Sequence, residues 1–219
     1  WNAALHFEHE RGLAGAIEQC NGQGVCRKSA GVMCPSFQAS GDERLSTRGR
    51  ANLLRALIKA RGADDGIESE LEAAAFETLD QCLACKGCTS ECPSGVDMHK
   101  LKYEFMHHYY QSRRRPLRDY LFAYFHLVAK ALTPVAPLAN ALMRAKPAKK
   151  IISKVFGISE ARPLPTFKKS KRARESQNEK IVLFLTDVFS EYVEPSVKEA
   201  ALEILHLLGY RARQISVVG

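Results

Sequence analysis

A mainly α fold that gives way to one βαβ unit is predicted for this chain of 219 residues by three features. Apolar residues recur at helical spacing between residues 47 and 110. Pro116, Pro134, Pro137, Pro147, Pro163 and Pro165 then break the following stretch into short helical pieces. Finally, Ile181-Val-Leu-Phe-Leu-Thr186 is a continuous apolar run of strand length, the pattern of a parallel strand buried on both faces. An apolar share of 46% and a charged share of 26% suit a chain that buries a core, which excludes collagen-like, low-complexity and fully disordered chains.

Each element has its own signal. Thr47–Arg61 sets Ala51, Leu54, Leu57 and Ile58 on one face, with Ser46 as N-cap and Gly62 past the end. After the start signal Asp64-Asp65, the stripe Ile67, Leu71, Ala74, Ala75, Thr78, Leu79 brings Cys82 to the C-terminal end of a second helix. Asp97–Tyr110 repeats the pattern through Met98, Leu101, Phe105 and Tyr109. Leu117–Leu132 reads as one helix, apolar on most of its circumference and expected to be buried. Pro195 opens a helix through Val197, Ala201, Ile204, Leu205 and Leu208, closed by Gly209, and Arg213–Val218 is the next strand. The segments are therefore 1–112, cysteine-bearing and helical; 113–180, proline-broken and basic; and 181–219, the start of an α/β domain.

No apolar stretch approaches the roughly 20 residues of a spanning helix. Leu121–Leu132 is interrupted by His126 and Lys130, which argues against an integral membrane protein. With Trp1 in place of an initiator Met and no secretory pattern, the chain reads as a piece of a longer polypeptide. The net charge of +8 is concentrated. Residues 141–180 hold twelve Lys or Arg against Glu160, Glu175 and Glu179, so the remaining residues sum to about −1. Without interleaved aromatics the run reads as a solvated linker rather than a base-stacking platform, and no nucleic acid partner is expected.

All seven cysteines lie between positions 20 and 92. An odd count at short spacings speaks for thiolates gathered around metal in a reducing compartment, not for a disulfide framework. Cys82-x2-Cys85-x2-Cys88-x3-Cys92-Pro93 has the spacing of the bacterial ferredoxin run. There, three close thiolates hold one [4Fe–4S] cluster and the fourth ligates elsewhere. Gly87 is expected to allow the tight backbone, and Pro93 to turn the chain away. Zinc sites use two separated pairs instead. The upstream set, Cys20-x5-Cys26-x7-Cys34-Pro35, is irregular: regular spacing would need cysteine at Gly24, Arg27 and Ala30. If the fourth cysteine of each run crosses over, Cys34 joins Cys82, Cys85 and Cys88 in a first cluster. Cys20, Cys26 and Cys92 are then left for a second centre, either [3Fe–4S] or [4Fe–4S] with a fourth ligand such as His6 or His9. A single cluster is the other possibility.

Arg44, Arg48 and Arg50 surround the start of the Thr47 helix, where cations oppose the macrodipole. They are either cluster-tuning, with Arg48 and Arg50 the cofactor-binding candidates, or plainly exposed. His107 and His108 point about 100° apart on a helix and make no metal pair. No dinucleotide fingerprint, P-loop or hydrolase serine motif is present, and no catalytic residue is assigned.

Cys20-Asn-Gly-Gln-Gly-Val-Cys-Arg-Lys28, Met33-Cys-Pro-Ser36, Asp42-Glu-Arg-Leu-Ser-Thr-Arg-Gly-Arg-Ala-Asn52 and Cys82–Met98 together resemble the region after the flavin domain of bacterial FAD-linked oxidases, the D-2-hydroxyacid dehydrogenases of D-lactate, glycolate and D-2-hydroxyglutarate type. Phe184–Pro195 and Gly209-Tyr210 are similar to the opening of their CCG-type cysteine-rich domain. The resemblance implies an α-helical ferredoxin fold that carries electrons from reduced FAD, on an upstream domain, to a quinone or protein acceptor. It also implies a cytoplasmic location, free or peripheral on the inner face of the cytoplasmic membrane. Two alternatives remain at this stage. One is a separate iron–sulfur subunit of glycerol-3-phosphate dehydrogenase, lactate-utilisation or heterodisulfide-reductase type. The other is a zinc-dependent nucleic-acid-binding module, suggested by a pI near 9.2.

Overall fold

The computed structural model describes residues 2–62, 66–170 and 180–216. Contacts divide the chain into two units, residues 1–114 and 115–219. Helix dominates both, and the described strands form one two-stranded parallel sheet.

The first unit is built around α3 (Thr47–Ala60), with α1 (Leu13–Glu18), α4 (Ile67–Asp80) and α6 (Met98–Tyr109) packed against it or one another. The expected cap is present: Ser46 Oγ accepts from the Gly49 N–H at 2.9 Å. Ala51, Leu54 and Leu57 are fully buried at the expected spacing, and they meet Ile17, Leu79, Leu101 and Phe105. Each buried leucine contributes about 1.5–3 kcal/mol. The helix start expected at Asp64-Asp65 falls outside the described residues; α4 is preceded by Gly66 in the left-handed region. Asp97 caps α6 through the Lys100 N–H. Two short helices complete this unit, α2 (Pro35–Ser40) and α5 (Gly87–Glu91), each immediately following cysteine-bearing backbone.

Glu104 on α6 ties down the start of the chain. Its carboxylate is inaccessible to solvent and accepts from the N–H groups of Ala4 and Leu5, both at 2.9 Å, and lies 2.8 Å from His108 Nε2. Burial works against its charge, but the two N–H groups and His108 outweigh it and hold the carboxyl below the ordinary range.

The second unit departs from expectation in three ways. Leu117–Leu132 is not one helix but two, α7 (Leu117–Ala123) and α8 (Phe125–Leu132), interrupted at Tyr124. Nor is it buried. Leu117, Tyr120, Phe122, Tyr124 and Leu127 are all at least half exposed, and only Ala129 is fully covered. The apolar circumference therefore outruns what α9 (Ala136–Arg144) and α10 (Lys146–Phe156) can cover. No single helix is long and apolar enough to cross a membrane; α7 and the helical stretch Phe125–Arg144 meet at 68°. Third, the strand β1 (Lys180–Thr186) pairs in parallel register with β2 (Tyr210–Ser216), Lys180 opposite Tyr210 through Thr186 opposite Ser216. It is not buried on both faces: Ile181, Leu183 and Leu185 alternate outward and exposed. The crossover runs through α11 (Val188–Tyr192) and α12 (Pro195–Leu207).

Where composition separates 113–180 from 181–219, packing joins them. Phe167 is buried with Ala129 and Ala136, and Phe125 lies between Phe167 and Phe189 at ring distances of 6.1 and 5.6 Å. Asn140 clasps the Phe167 backbone from both sides, accepting from its N–H at 2.9 Å and donating to its carbonyl at 2.8 Å.

Because the Glu104 carboxyl titrates lower in the folded chain than in the unfolded one, its contribution is present above the ordinary carboxylate pKa and fades as pH falls through the folded value. Glu104→Gln is expected to cost about 1.5–3 kcal/mol at neutral pH. The deficit should shrink on acidification, as denaturant melts at pH 7 and pH 4 will show.

Candidate metal centre

The loop from α4 to α5 carries Cys82 and Cys85, and Cys88 follows in the first turn of α5. Cys82 leaves α4 with its N–H bonded to the Leu79 carbonyl at 3.0 Å, and Lys102 Nζ holds the Cys82 carbonyl at 2.6 Å and that of Asp80 at 3.3 Å. The loop then curls through two left-handed residues, Ala84 at φ 50° and Lys86 at φ 61°. Non-glycine residues adopt such angles only where the surroundings over-determine them. Gly87, expected to supply the tight backbone, is not at positive φ. Its role is clearance: a Cβ there would stand 3.0 Å from the Val32 carbonyl oxygen and 3.2 Å from Met33 Cα. This close approach brings Cys34 to the Cys82–Cys88 loop.

Two recesses result. The first is lined by Cys34, Cys82, Cys85 and Cys88, with Thr47, Arg50, Met98 and His99. The second is lined by Cys20, Cys26 and Cys92, with Gly24, Thr47, Arg48 and Val96 among others. They enclose about 320 and about 290 Å³ of empty space, mouths included. Each gathers thiols from both cysteine runs. Cys92 reaches the second because Cys92-Pro93-Ser94-Gly95 is a tight turn closed by the Gly95 N–H on the Cys92 carbonyl at 3.0 Å.

Thr47 stands at the junction of the two. Its N–H donates to Cys34 Sγ at 3.1 Å and its hydroxyl lies 3.0 Å from the same sulfur, while the next N–H, of Arg48, donates to Cys26 Sγ at 3.4 Å. The N-terminus of α3, where N–H groups lack helical partners, thus serves one sulfur of each recess. The start of α6 does the same for Cys88, whose thiol faces the N–H groups of Met98 and His99. Burial nevertheless keeps that thiol above its ordinary pKa. Cys26 is held well below the thiol range by the hydrogen bond from Cys34, helped by the Arg48 N–H, and Cys34 is correspondingly pushed up.

The arginines part company. Arg50 is buried, its Nε donating to the Thr78 carbonyl at 2.9 Å and a terminal nitrogen to Ser36 Oγ at 3.0 Å, on the wall of the first recess. Arg48 lines the second, braced by Glu43 at 2.8 Å and by the Gly22 carbonyl at 3.2 Å. Arg44 is exposed and pairs with Asp42. His6 and His9 are also exposed, His6 beside Glu8 at 3.1 Å, away from either recess. Three positioning groups were not singled out from sequence: Thr47, Lys102 and Glu91. Glu91 accepts from the Val32 N–H and pairs with Lys28, each at 2.8 Å, so it fastens the loop before Cys34 to the helix before Cys92.

Among the described residues, no three His, Cys, Asp or Glu side chains converge on a point that would hold a single ion. Tetrahedral zinc needs sulfurs only about 3.8 Å apart. An iron–sulfur cluster presents its irons at separate corners and takes thiols spread around a cavity. The donors fit the latter, and the N–H groups aimed at sulfur are those that stabilise such thiolates. Residues 16–96 match the family described as 4Fe-4S dicluster domain. The matched stretch takes in all seven cysteines. The chain is also similar to D-2-hydroxyglutarate dehydrogenase of Pseudomonas putida, 23% identical over 88% of this chain and 24% of that protein. Its Escherichia coli counterpart is 24% identical over 90% and 24%. The Escherichia coli glycolate oxidase iron–sulfur subunit is 27% identical over 80% and 40%. The chain thus spans about a quarter of the dehydrogenases it matches. No solved structure matches it significantly.

Gly87→Ala is expected to push the Val32–Met33 backbone off the Cys82–Cys88 loop at a cost of about 1–3 kcal/mol. Iron bound in the first recess should then be lost to a chelator faster than from the parent protein.

Proposed function

We propose that this segment is the electron-transfer part of a flavin-dependent D-2-hydroxyacid dehydrogenase. It would pass electrons from reduced FAD, held on protein outside these residues, toward a quinone or a protein acceptor. The observation that carries the reading is the crossing of the two cysteine runs, which sets two thiol-lined recesses side by side with Thr47 in the wall of both. In this reading Cys82, Cys85, Cys88 and Cys34 ligate the first cluster, and Cys20, Cys26 and Cys92 ligate the second. Bound clusters supply one-electron transfer. The protein supplies a pre-shaped, partly open recess for each and the N–H and O–H donors that set the potential.

Arg50 adds a buried guanidinium to the first recess and Arg48 a partly covered one to the second, both favouring the more negative, reduced state. A flavin-fused dehydrogenase is favoured over a separate iron–sulfur subunit because the D-2-hydroxyglutarate dehydrogenases of Pseudomonas putida and Escherichia coli align along 88–90% of the chain, against 80% for the glycolate oxidase iron–sulfur subunit. The matching component of the Escherichia coli anaerobic glycerol-3-phosphate dehydrogenase aligns along 49%.

The test is anaerobic purification of the full-length protein. A brown protein with equal, substantial iron and acid-labile sulfide, bleached by dithionite and by the D-2-hydroxyacid substrate, is the expected result. Zinc without sulfide would end the reading. Thr47→Val should retain the clusters yet lower one potential by tens of millivolts, since about 59 mV corresponds to roughly 1.4 kcal/mol for one electron. Thr47→Ser should restore it.

A further inference from the structure

Every described cysteine is accounted for by the two recesses, four in the first and three in the second. The second recess therefore offers one thiol too few for a cubane cluster. Its other described walls are Asn21, Gln23, Gly24, Val25, Met33, Thr47, Arg48, Pro93, Ser94 and Val96, none of them a strong iron ligand. His6 and His9, the imidazoles nearest in sequence to Cys20, are exposed elsewhere.

The reason for the shortfall is visible at Gly24. Regular cysteine spacing counted back from Cys34 reaches this position, and Gly24 does line the recess. Its φ of +74° resists a side chain, and a Cβ would stand 3.2 Å from a terminal nitrogen of Arg48. A guanidinium thus occupies the wall where the missing thiol would have been attached. Glu43 and the Gly22 carbonyl fix it in place. A cation against a position without a side-chain ligand suits a small anionic ligand there.

We propose that the second recess is a three-thiolate site, with Cys20, Cys26 and Cys92 holding three irons. Its fourth iron is then exchangeable, ligated by a small anion such as hydroxide beside Arg48 rather than by a side chain. This inference rests on the cluster assignment above. An iron without a thiolate leaves first on oxidation. The oxidised cluster [4Fe–4S]2+ becomes [3Fe–4S]+ as one Fe2+ departs and one electron passes to ferricyanide, the oxidant used in the test.

The experiment titrates ferricyanide into the anaerobically purified full-length protein and follows iron, sulfide and paramagnetic resonance. Iron should fall to about seven per chain while sulfide stays at about eight. A spin-half resonance of roughly one spin per chain should appear, and Fe2+ with a mild reductant should reverse both changes. Gln23→Cys and Ser94→Cys each put a thiol on the wall, and at least one should suppress the iron loss. Iron that stays equal to sulfide without a new resonance overturns the proposal, as does unaltered loss in both added-thiol variants. Four irons insensitive to Cys20→Ser would overturn it too, yet leave the first cluster standing. Absence of iron and sulfide altogether would instead remove the underlying assignment.

Discussion

The first turn of α3 is the constraint on which the iron–sulfur unit turns. A helix start leaves N–H groups with no partner in the helix, and they must be satisfied by something. Here the acceptors are sulfurs: Cys34 receives the Thr47 N–H, and Cys26 receives that of Arg48. Because Ser46 has already capped the helix through Gly49, the geometry of these donors is fixed before any metal arrives. The hydrophobic stripe Ala51, Leu54, Leu57 then anchors the helix in the core, so the sulfurs are referenced to a helix whose inner face is fully buried.

The second run is referenced to the same frame by a different route. Lys102 holds the Cys82 carbonyl, and the α6 N-terminus faces Cys88. Glu91 joins the helix before Cys92 to the loop before Cys34. Each centre therefore draws on both runs, and neither run can move without disturbing both centres. Cluster binding would therefore stabilise the folded unit: the thiols are separated by roughly sixty residues of chain, and ordering that chain costs entropy that bound metal offsets.

Much of this was legible from sequence, and the failures share a cause. Capped helices with a single apolar face, such as Thr47–Ala60 and Met98–Tyr109, lie within a residue or so of where periodicity puts them. Each carries its own start signal and buries only one stripe. The spacing of Cys82, Cys85 and Cys88 puts three sulfurs on one recess because a single short loop and the helix turn after it carry them. The place of Cys34 beside them rests instead on the packing of Val32 and Met33 against Gly87. What escaped were features depending on chain far away in sequence. Gly87 is glycine because Val32 and Met33 pass close by, not because its own torsions demand it. Thr47 looks like an ordinary first helical residue until Cys34 is placed against it. Leu117–Leu132 and Ile181–Thr186 were read as buried since apolar residues usually find cover. Continuous apolarity, however, states a need for cover without naming what provides it.

The asymmetry between the two recesses has a physical logic of its own. The first has four thiols, a buried Arg50 and donors from two helix starts, all of which favour a complete and firmly held centre. Among the described residues the second draws one such helix-start donor, from Arg48, and its wall is built from turns around Gly22, Gly24 and Gly95, all at positive φ. Glycine at position 24, where regular spacing would put a thiol, leaves the wall to the Arg48 guanidinium, so a positive charge stands where covalent attachment is lacking. In the proposed reading electrons would cross such a pair whether or not the second is complete, because Thr47 walls both recesses and the thiols of Cys26 and Cys34 lie within hydrogen-bonding reach. Incomplete ligation therefore bears on the potential and lability of one centre, and leaves the path between them intact.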